Sequence, residues 1–367
     1  MFIIVFMKIL IAASDSNTVS SLFLEEILHT LTDAGIDTAL SAPDGGFTEV
    51  SYYPSPVPRS PLFNFHADNR TCEEYLYSRG CLSEKYIQKD IEAMQDTINA
   101  FHPELIIAIN RPAALLSAQL NELPCWVIVH PAMYRDFYFP AHCLHGFNAV
   151  CSRCRLEQQL KLSSFYRTAR RRIGFGPLSF SPFLTEESVT RLGLMCEASH
   201  PSAAHDALVI VPGQLHLSED RFSHMVEEAF NGASYPVHVC NADESGIVGN
   251  IHYHTGFDPK LLTKASALIH DGSSYMTSLA FAHNLPQIIL SDHTCFRSFN
   301  AIAVQRTRTG VFLYEEDLSI ASLYEAYRTI LSDDIYTANT DAMRREAERR
   351  GSIKEIVDLL YIDLINQ

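Results

Sequence analysis

The stretch ALIHDGSSYMTSLAFAHNLPQIIL spans residues 267–290. It opens on a short apolar run, Ala267–His270, and closes on another, PQIIL. Between them lie a turn of small polar residues and TSLAFAHN, whose apolar positions recur at helical spacing. Strand, turn, helix and strand in that order make one βαβ unit, which builds a parallel sheet through a right-handed crossover. A turn that opens a helix also presents main-chain N–H groups to whatever lies in front of it, and so suits an anion. This turn carries Asp271, Tyr275 and Met276 where glycines or a basic group would suit a phosphate better.

The same alternation extends in both directions. In the first half, KILIAAS (8–14) reads as a strand, 19–34 as a helix with Leu22, Phe23, Ile27, Leu28 and Leu31 on one face, and residues 37–43 as a second strand. A helix over 83–101, the strand ELIIAIN, the helix AALLSAQLNEL and the strand CWVIVHP follow. In the second half ALVIVPGQ (207–214) is a strand ending in a glycine turn. SEDRFSHMVEEAF (218–230) starts a helix at Ser218, with acidic residues in its first turn. YPVHVC is a strand, and 317–365 is helical. Two halves of this kind predict an α/β protein of two doubly wound, Rossmann-like domains. The expected division is 1–200, then 201–350, then a C-terminal helix over 351–367 that can cross back to the first domain, with CEASHPSAAHDA (196–207) as the linker. Residues 44–75, rich in Pro, Gly, Tyr and Phe, read as a long loop of the functional kind.

Composition narrows the function. The 367 residues are 47% hydrophobic and 19% charged, which fits a globular chain able to bury sizeable cores. The formal charge of −15 argues against non-specific nucleic-acid binding, which needs a positive surface. One basic run, RTARRRIGF (167–175), reads either as a solvated helix face or as a contact for an anionic acceptor or a membrane surface through 167–172. The nine cysteines are an odd, scattered set, expected as reduced thiols in a cytoplasmic protein. Among them HCLHGFNAVCSRC (142–154) offers His142, Cys143, His145, Cys151 and Cys154 to a zinc ion, but only the CxxC has ligand-like spacing, and buried thiols on a helix fit better. No metal is expected. The apolar start MFIIVFMKILIAA lacks the charged region of a signal peptide and is too short to span a bilayer. No GxGxxG follows the first strand, so classical dinucleotide binding is not expected, and another two-Rossmann enzyme, such as a sugar-nucleotide epimerase, is the weaker alternative.

The run HTGFDPKLLTKASALIHDGSSYMTSLAFAHNLPQIILSD (254–292), followed by NAIAVQRTRTGVFL (300–313), resembles the UDP-dependent glycosyltransferases of the GT-B fold, in their bacterial natural-product branch. AHNLPQ is similar to that family's AHGVPQ, and Asn300-Ala301 to an NA that opens its next helix. The resemblance implies two Rossmann-like domains facing each other across a cleft. It implies a metal-independent, inverting transfer of a sugar from a nucleotide diphosphate sugar to a small-molecule or lipid-like acceptor, with no cofactor beyond that co-substrate. It places Gly213, Gln214, His270, Gly272, Ser273, Ser274 and Thr277 around the donor diphosphate, Phe257 and Asp258 beside the base, and Asp292 and His293 near the sugar.

The chain departs from the pattern at three places. Where the family has His-Gly-Gly-x-Gly-Thr, this chain has Asp271, Gly272, Ser273, Ser274, Tyr275 and Met276. A carboxylate at Asp271 either repels a diphosphate or caps the helix. The family's histidine base after the first strand is missing from SDSNTVSS (14–21), which leaves Asp15 as the candidate base or as a helix cap. The family's sugar-binding Asp-Gln falls at Cys295, Phe296 and Arg297, where Arg297 reads as an anion clamp or as a surface residue. Two outcomes stay open: a working glycosyltransferase, or a binding or partner protein that has kept the scaffold and lost the reaction.

Overall fold

The computed structural model describes residues 7–14, 18–44, 50–60, 71–134, 140–182, 188–197, 206–213, 215 and 217–365. The chain groups into two units: 1–175 with 183–192 and 353–367, and 176–182 with 193–352. Each is built on its own seven-stranded sheet.

In the first unit the strands are β1 (Lys8–Ala13), β2 (Asp37–Ala42), β3 (Ser51–Pro54), β4 (Leu105–Ile109), β5 (Cys125–Val129), β6 (Arg171–Phe175) and β7 (Thr190–Leu192). They lie in the order β3-β2-β1-β4-β5-β6-β7, and every pair is parallel. Ile9–Ala12 of β1 are wholly buried, as a central parallel strand covered on both faces requires. The region read as one long loop holds β3, whose Ser51–Pro54 pair with Ala39–Ala42, and at its end the helix Cys72–Ser78. The alternation of β3 is hidden by its two tyrosines and terminal proline, and its edge position supplies the pairing that propensity alone does not.

A second difference concerns the basic run. It is not a helix face: Arg171–Phe175 are β6, and Arg172 is buried. The arginines are met inside the unit. Arg171 forks onto the Asp363 carboxylate, lies 5.3 Å over the Trp126 ring and donates to Thr190 at 3.0 Å. Arg170 reaches the Asp363 main-chain oxygen at 3.1 Å, and Trp126 Nε1 donates to Asp363 Oδ2 at 3.1 Å. Asp363 lies on the C-terminal helix Glu355–Ile365, so these bonds tie that helix to the first sheet. A guanidinium stacked on an aromatic face and bidentate to a carboxylate is well matched in shape.

Deeper in the same unit Arg111, at the carboxyl end of β4, is fully buried. Its Nε and Nη2 take Asp90 at 3.1 and 2.5 Å, and Nη1 donates to the Ser41 main-chain oxygen at 2.8 Å and to its hydroxyl at 2.9 Å. That one side chain joins the helix Glu84–Phe101 to β2 and β4. Cys143 and Cys151, considered above as metal ligands, are buried, and burial pushes their thiols up to about 12 and about 11, so both stay protonated at neutral pH. Among the described residues no group of three His, Cys, Asp or Glu is placed to hold a metal ion. Among them, too, no helix is long and apolar enough to cross a membrane.

The second unit holds β8 (Ala207–Val211), β9 (Val237–Cys240), β10 (Gly246–Val248), β11 (Ile251–His254), β12 (Ala265–His270), β13 (Gln287–Ser291) and β14 (Gly310–Tyr314). Their order is β10-β11-β9-β8-β12-β13-β14, parallel except for the β10–β11 hairpin at the edge. The helices Glu219–Phe230 and Ile320–Ser332 cover one face, with Phe222, Val226, Leu323 and Tyr327 packed on Leu208, Ile210, Ile269 and Ile288. Gly176–Pro182 belongs to this unit: Phe180 meets Phe281 edge-on at 5.0 Å, and Arg306 donates to its main-chain oxygen at 2.9 Å. Of the linker proposed at 196–207, residues 198–205 lie outside the described residues.

The Asp90–Arg111 pair generates a test. Asp90→Ala strands a buried guanidinium, and urea unfolding should show a loss of about 3–5 kcal/mol. Asp90→Leu combined with Arg111→Met, which removes both charges, should lose much less.

Candidate functional site at the carboxyl end of the second sheet

The strand order of the second unit reverses between β8 and β12, and crevices beyond the carboxyl ends of strands at such a point are where open α/β sheets hold ligands. Two segments leave the sheet there. After β8 the chain turns at Gly213, whose φ of +68° favours glycine. After β12 it runs through Asp271, Gly272 and Ser273 into the helix Ser274–Ala282. A Cβ added at Gly213 would lie 2.6 Å from that of Asp271, so the two turns touch.

The second turn is held by its own Asp271 and by side chains from three elements. His270 is wholly buried at the end of β12, with Nε2 3.0 Å from Gln287 Oε1 on β13. Its Nδ1 accepts the Gly272 N–H at 3.1 Å. Burial pushes His270 down to about 4, so it is neutral and able to accept there. Asp271 is 1% exposed; its Oδ1 accepts the Ser273 N–H at 3.0 Å. Arg297, from the helix Cys295–Thr307, places Nη2 2.9 Å from Asp271 Oδ2 and Nη1 2.6 Å from Asp292 Oδ2. Asn300 of the same helix donates to the Gly272 main-chain oxygen at 2.8 Å. Gly272 itself has φ +78°, and a Cβ there would strike Ile289 at 2.6 Å, so only glycine fits.

The sequence-derived candidates therefore separate. Gly213, His270, Gly272, Ser273, Ser274 and Asp292 come together around Asp271, Arg297 and Asn300. Thr277 begins the helix's second turn, with its hydroxyl donating back to the Ser273 main-chain oxygen at 2.9 Å. Asp292 also accepts from Thr294, through N at 3.1 Å and Oγ1 at 2.8 Å. His293 adopts φ +63°, stacks on Tyr314 at 4.0 Å and meets Glu316 at 2.6 Å. Phe257 is half-buried after β11, and Asp258 is exposed and caps the short 3-10 helix Pro259–Lys264 through Lys260 N at 3.0 Å. Asp15 and Gln214 lie outside the described residues.

Three expectations change. Asp271 does cap, but from two residues ahead of the N-cap: Ser273 is the N-cap by backbone, makes no capping bond with its side chain, and among the described residues its buried hydroxyl has no partner. Arg297 is not a surface arginine, since it bridges two carboxylates with its side chain 18% exposed. Asn300 does not open a helix, because that helix starts at Cys295; it sits one turn in, where its amide reaches the Gly272 carbonyl. The roles of Arg297, Asn300 and Gln287 were missed for one reason: each acts across 17 to 28 residues of chain, and spacing within a motif does not report such contacts.

With that geometry in place, residues 253–362 match the family model of the erythromycin biosynthesis protein CIII-like C-terminal domain. Over 101 residues the chain is 32% identical to the aclacinomycin-T 2-deoxy-L-fucose transferase of Streptomyces galilaeus, a match covering 27% of this chain and 23% of that protein. The chain thus spans about a quarter of the curated relative it matches. Among solved structures, the calicheamicin glycosyltransferase superposes with a TM-score of 0.73 at 14% identity, covering 97% of this chain and 98% of that one. The spinosyn rhamnosyltransferase complexed with thymidine diphosphate gives 0.74 at 14% identity, over 97% and 100%. At that identity the likeness defines the fold, two parallel-sheet α/β domains of the GT-B type. The family model, the curated relative and these neighbours are all natural-product glycosyltransferases or their domains.

Burial of neutral histidines sets an acid limit. His270 and His283 are both pushed down to about 4, and His238 is lowered by burial and by its neighbours His254 and His252. From about pH 6.5 down to about pH 4 the unfolded chain binds protons that the folded chain refuses, so stability falls with pH by up to about 1.4 kcal/mol per unit per histidine. Above about pH 6.5 that loss is absent. His283→Asn should flatten the acid limb of a urea-midpoint against pH plot by one such increment.

Proposed function

We propose that the chain is a glycosyltransferase of the natural-product kind, transferring a sugar from a nucleoside diphosphate sugar to a small-molecule or lipid-like acceptor in the cytoplasm. The observation that carries this reading is the helix-opening turn at the switch point of the second sheet, set in a fold shared along nearly the whole chain with glycosyltransferases. One of those structures holds thymidine diphosphate, which makes thymidine and uridine diphosphate sugars the first donors to test. The amides that open the helix at Ser274, Tyr275 and Met276 point an array of partial positive charge at a leaving diphosphate. That provides charge stabilisation without a metal.

Transfer is proposed as a single displacement with inversion. Asp15, two residues beyond the last residue of β1, is the candidate base for the acceptor hydroxyl. Gly213, Gln214 and the 270–277 turn are proposed for the phosphates, Phe257 and Asp258 for the base, and Asp292 with His293 for the sugar. His293 would act through its ring, held flat against Tyr314.

One observation favours a second reading, a binding or partner protein without activity. Two amides of the turn, those of Gly272 and Ser273, are already taken by His270 and Asp271.

A thermal-shift panel of UDP-, TDP- and GDP-sugars separates the two. A donor at 100 times its dissociation constant should add about 2.7 kcal/mol of stability, and silence across the panel would favour the second reading. Asp15→Asn should leave the melting temperature unchanged and lower transfer by roughly 100- to 10,000-fold. Transfer at the parental rate would remove Asp15 from the mechanism.

A further inference from the structure

We infer that the Asp271 carboxylate is a resident anion: it fills the seat that a ligand's phosphate oxygen would take in the turn after β12, and it thereby determines which ligands this end of the sheet accepts. This rests on the reading that the turn faces a phosphorylated donor.

The seat has the parts an oxyanion needs, and Asp271 uses them. One carboxylate oxygen accepts a main-chain N–H, from Ser273 at 3.0 Å. The other lies 2.9 Å from a guanidinium nitrogen of Arg297, close enough for an ion pair but not aligned for a hydrogen bond. Amide and guanidinium together are the usual partners of a bound phosphate. The carboxylate is 1% exposed, so it occupies the seat rather than hovering near it. The walls are shaped to the occupant. Gly213 leaves room where any Cβ would come within 2.8 Å of Asp271 Oδ2, and Asn300 pins the Gly272 carbonyl so that the turn cannot swing the carboxylate out. The neighbouring amide, Gly272 N, is closed by the neutral His270 ring.

The charges decide the consequence. Asp271 and Asp292 share the single guanidinium of Arg297, and His270 carries none, so this group of four is net negative by one. A diphosphate entering the same seat would meet a like charge at contact distance in a partly dry site, where repulsion is poorly screened. Phosphate contacts are therefore displaced toward the amides of Ser274 to Met276, or are weak. Exchanging the carboxylate for its amide keeps an acceptor for Ser273 N–H, brings the group to neutral, and releases one arm of Arg297 to an incoming anion.

The test is isothermal titration of the full chain with inorganic pyrophosphate. Asp271→Asn should bind it roughly tenfold or more tightly than the parent, and Asp271→Asn with Arg297→Gln should lose that gain. Equal or weaker binding by a folded Asp271→Asn overturns the inference. Should that variant fail to fold, Asp271→Ser, which also removes the charge, takes its place: tighter pyrophosphate binding than the parent supports a filled seat, and equal or weaker binding overturns it. Pyrophosphate needs no nucleoside pocket. A chain that binds no nucleoside or nucleotide, yet gains pyrophosphate in Asp271→Asn, would retire the glycosyltransferase reading and keep this one.

Discussion

Asp271 is a carboxylate with almost no exposure to water, and the carboxyl end of the second sheet is arranged around it. A buried charge is tolerated only when it is paired and hydrogen-bonded. The pairing draws Arg297 in from the helix Cys295–Thr307, and Arg297 in turn orders Asp292 at the end of β13. The hydrogen bond from Ser273 N fixes how the helix Ser274–Ala282 leaves the sheet. Gly213 at the end of β8 has no side chain because Asp271 stands where one would go. Three strand ends and two helices thus take their relative positions from one ion pair and its contacts.

The same arrangement explains how a GT-B fold can depart at this turn from the motif it resembles without being loosened. Here His270 and Asp271 satisfy the first two amides from within the chain, and Asn300 satisfies the carbonyl between them. The main-chain groups of the turn at Gly272 and Ser273 are therefore met from within the chain. The first unit follows a similar logic: Arg111 is wholly enclosed yet bonded on each side, and Arg171 is stacked and forked onto Asp363.

Much of the architecture was legible in the residues. The strands KILIAA, LIIAI, CWVIV, ALVIV and QIILS are short apolar runs, and the helices between them carry periodic apolar faces. What was not legible has local causes. β3 is an edge strand with a proline at its end, β6 begins with two arginines, and β10 is exposed along its whole length, so none shows the apolar run that marks a central strand. At the site, the turn and its glycines could be placed from the chain order, and the departure at Asp271 was visible as a charge in the wrong setting. Its partner was not, because Arg297 lies 26 residues further on and belongs to a different helix.

Periodicity and order of segments were thus enough for two parallel-sheet domains and for a helix-opening turn at the end of β12, because hydrophobic patterning and turn chemistry act over neighbouring residues. Whether the carboxylate in that turn stands open or is buried and paired was decided only by folding. An ion pair, a glycine contact and an amide-to-carbonyl bond come from residues far apart in the chain, and they meet at Asp271 only because the sheet sets β8, β12 and β13 side by side.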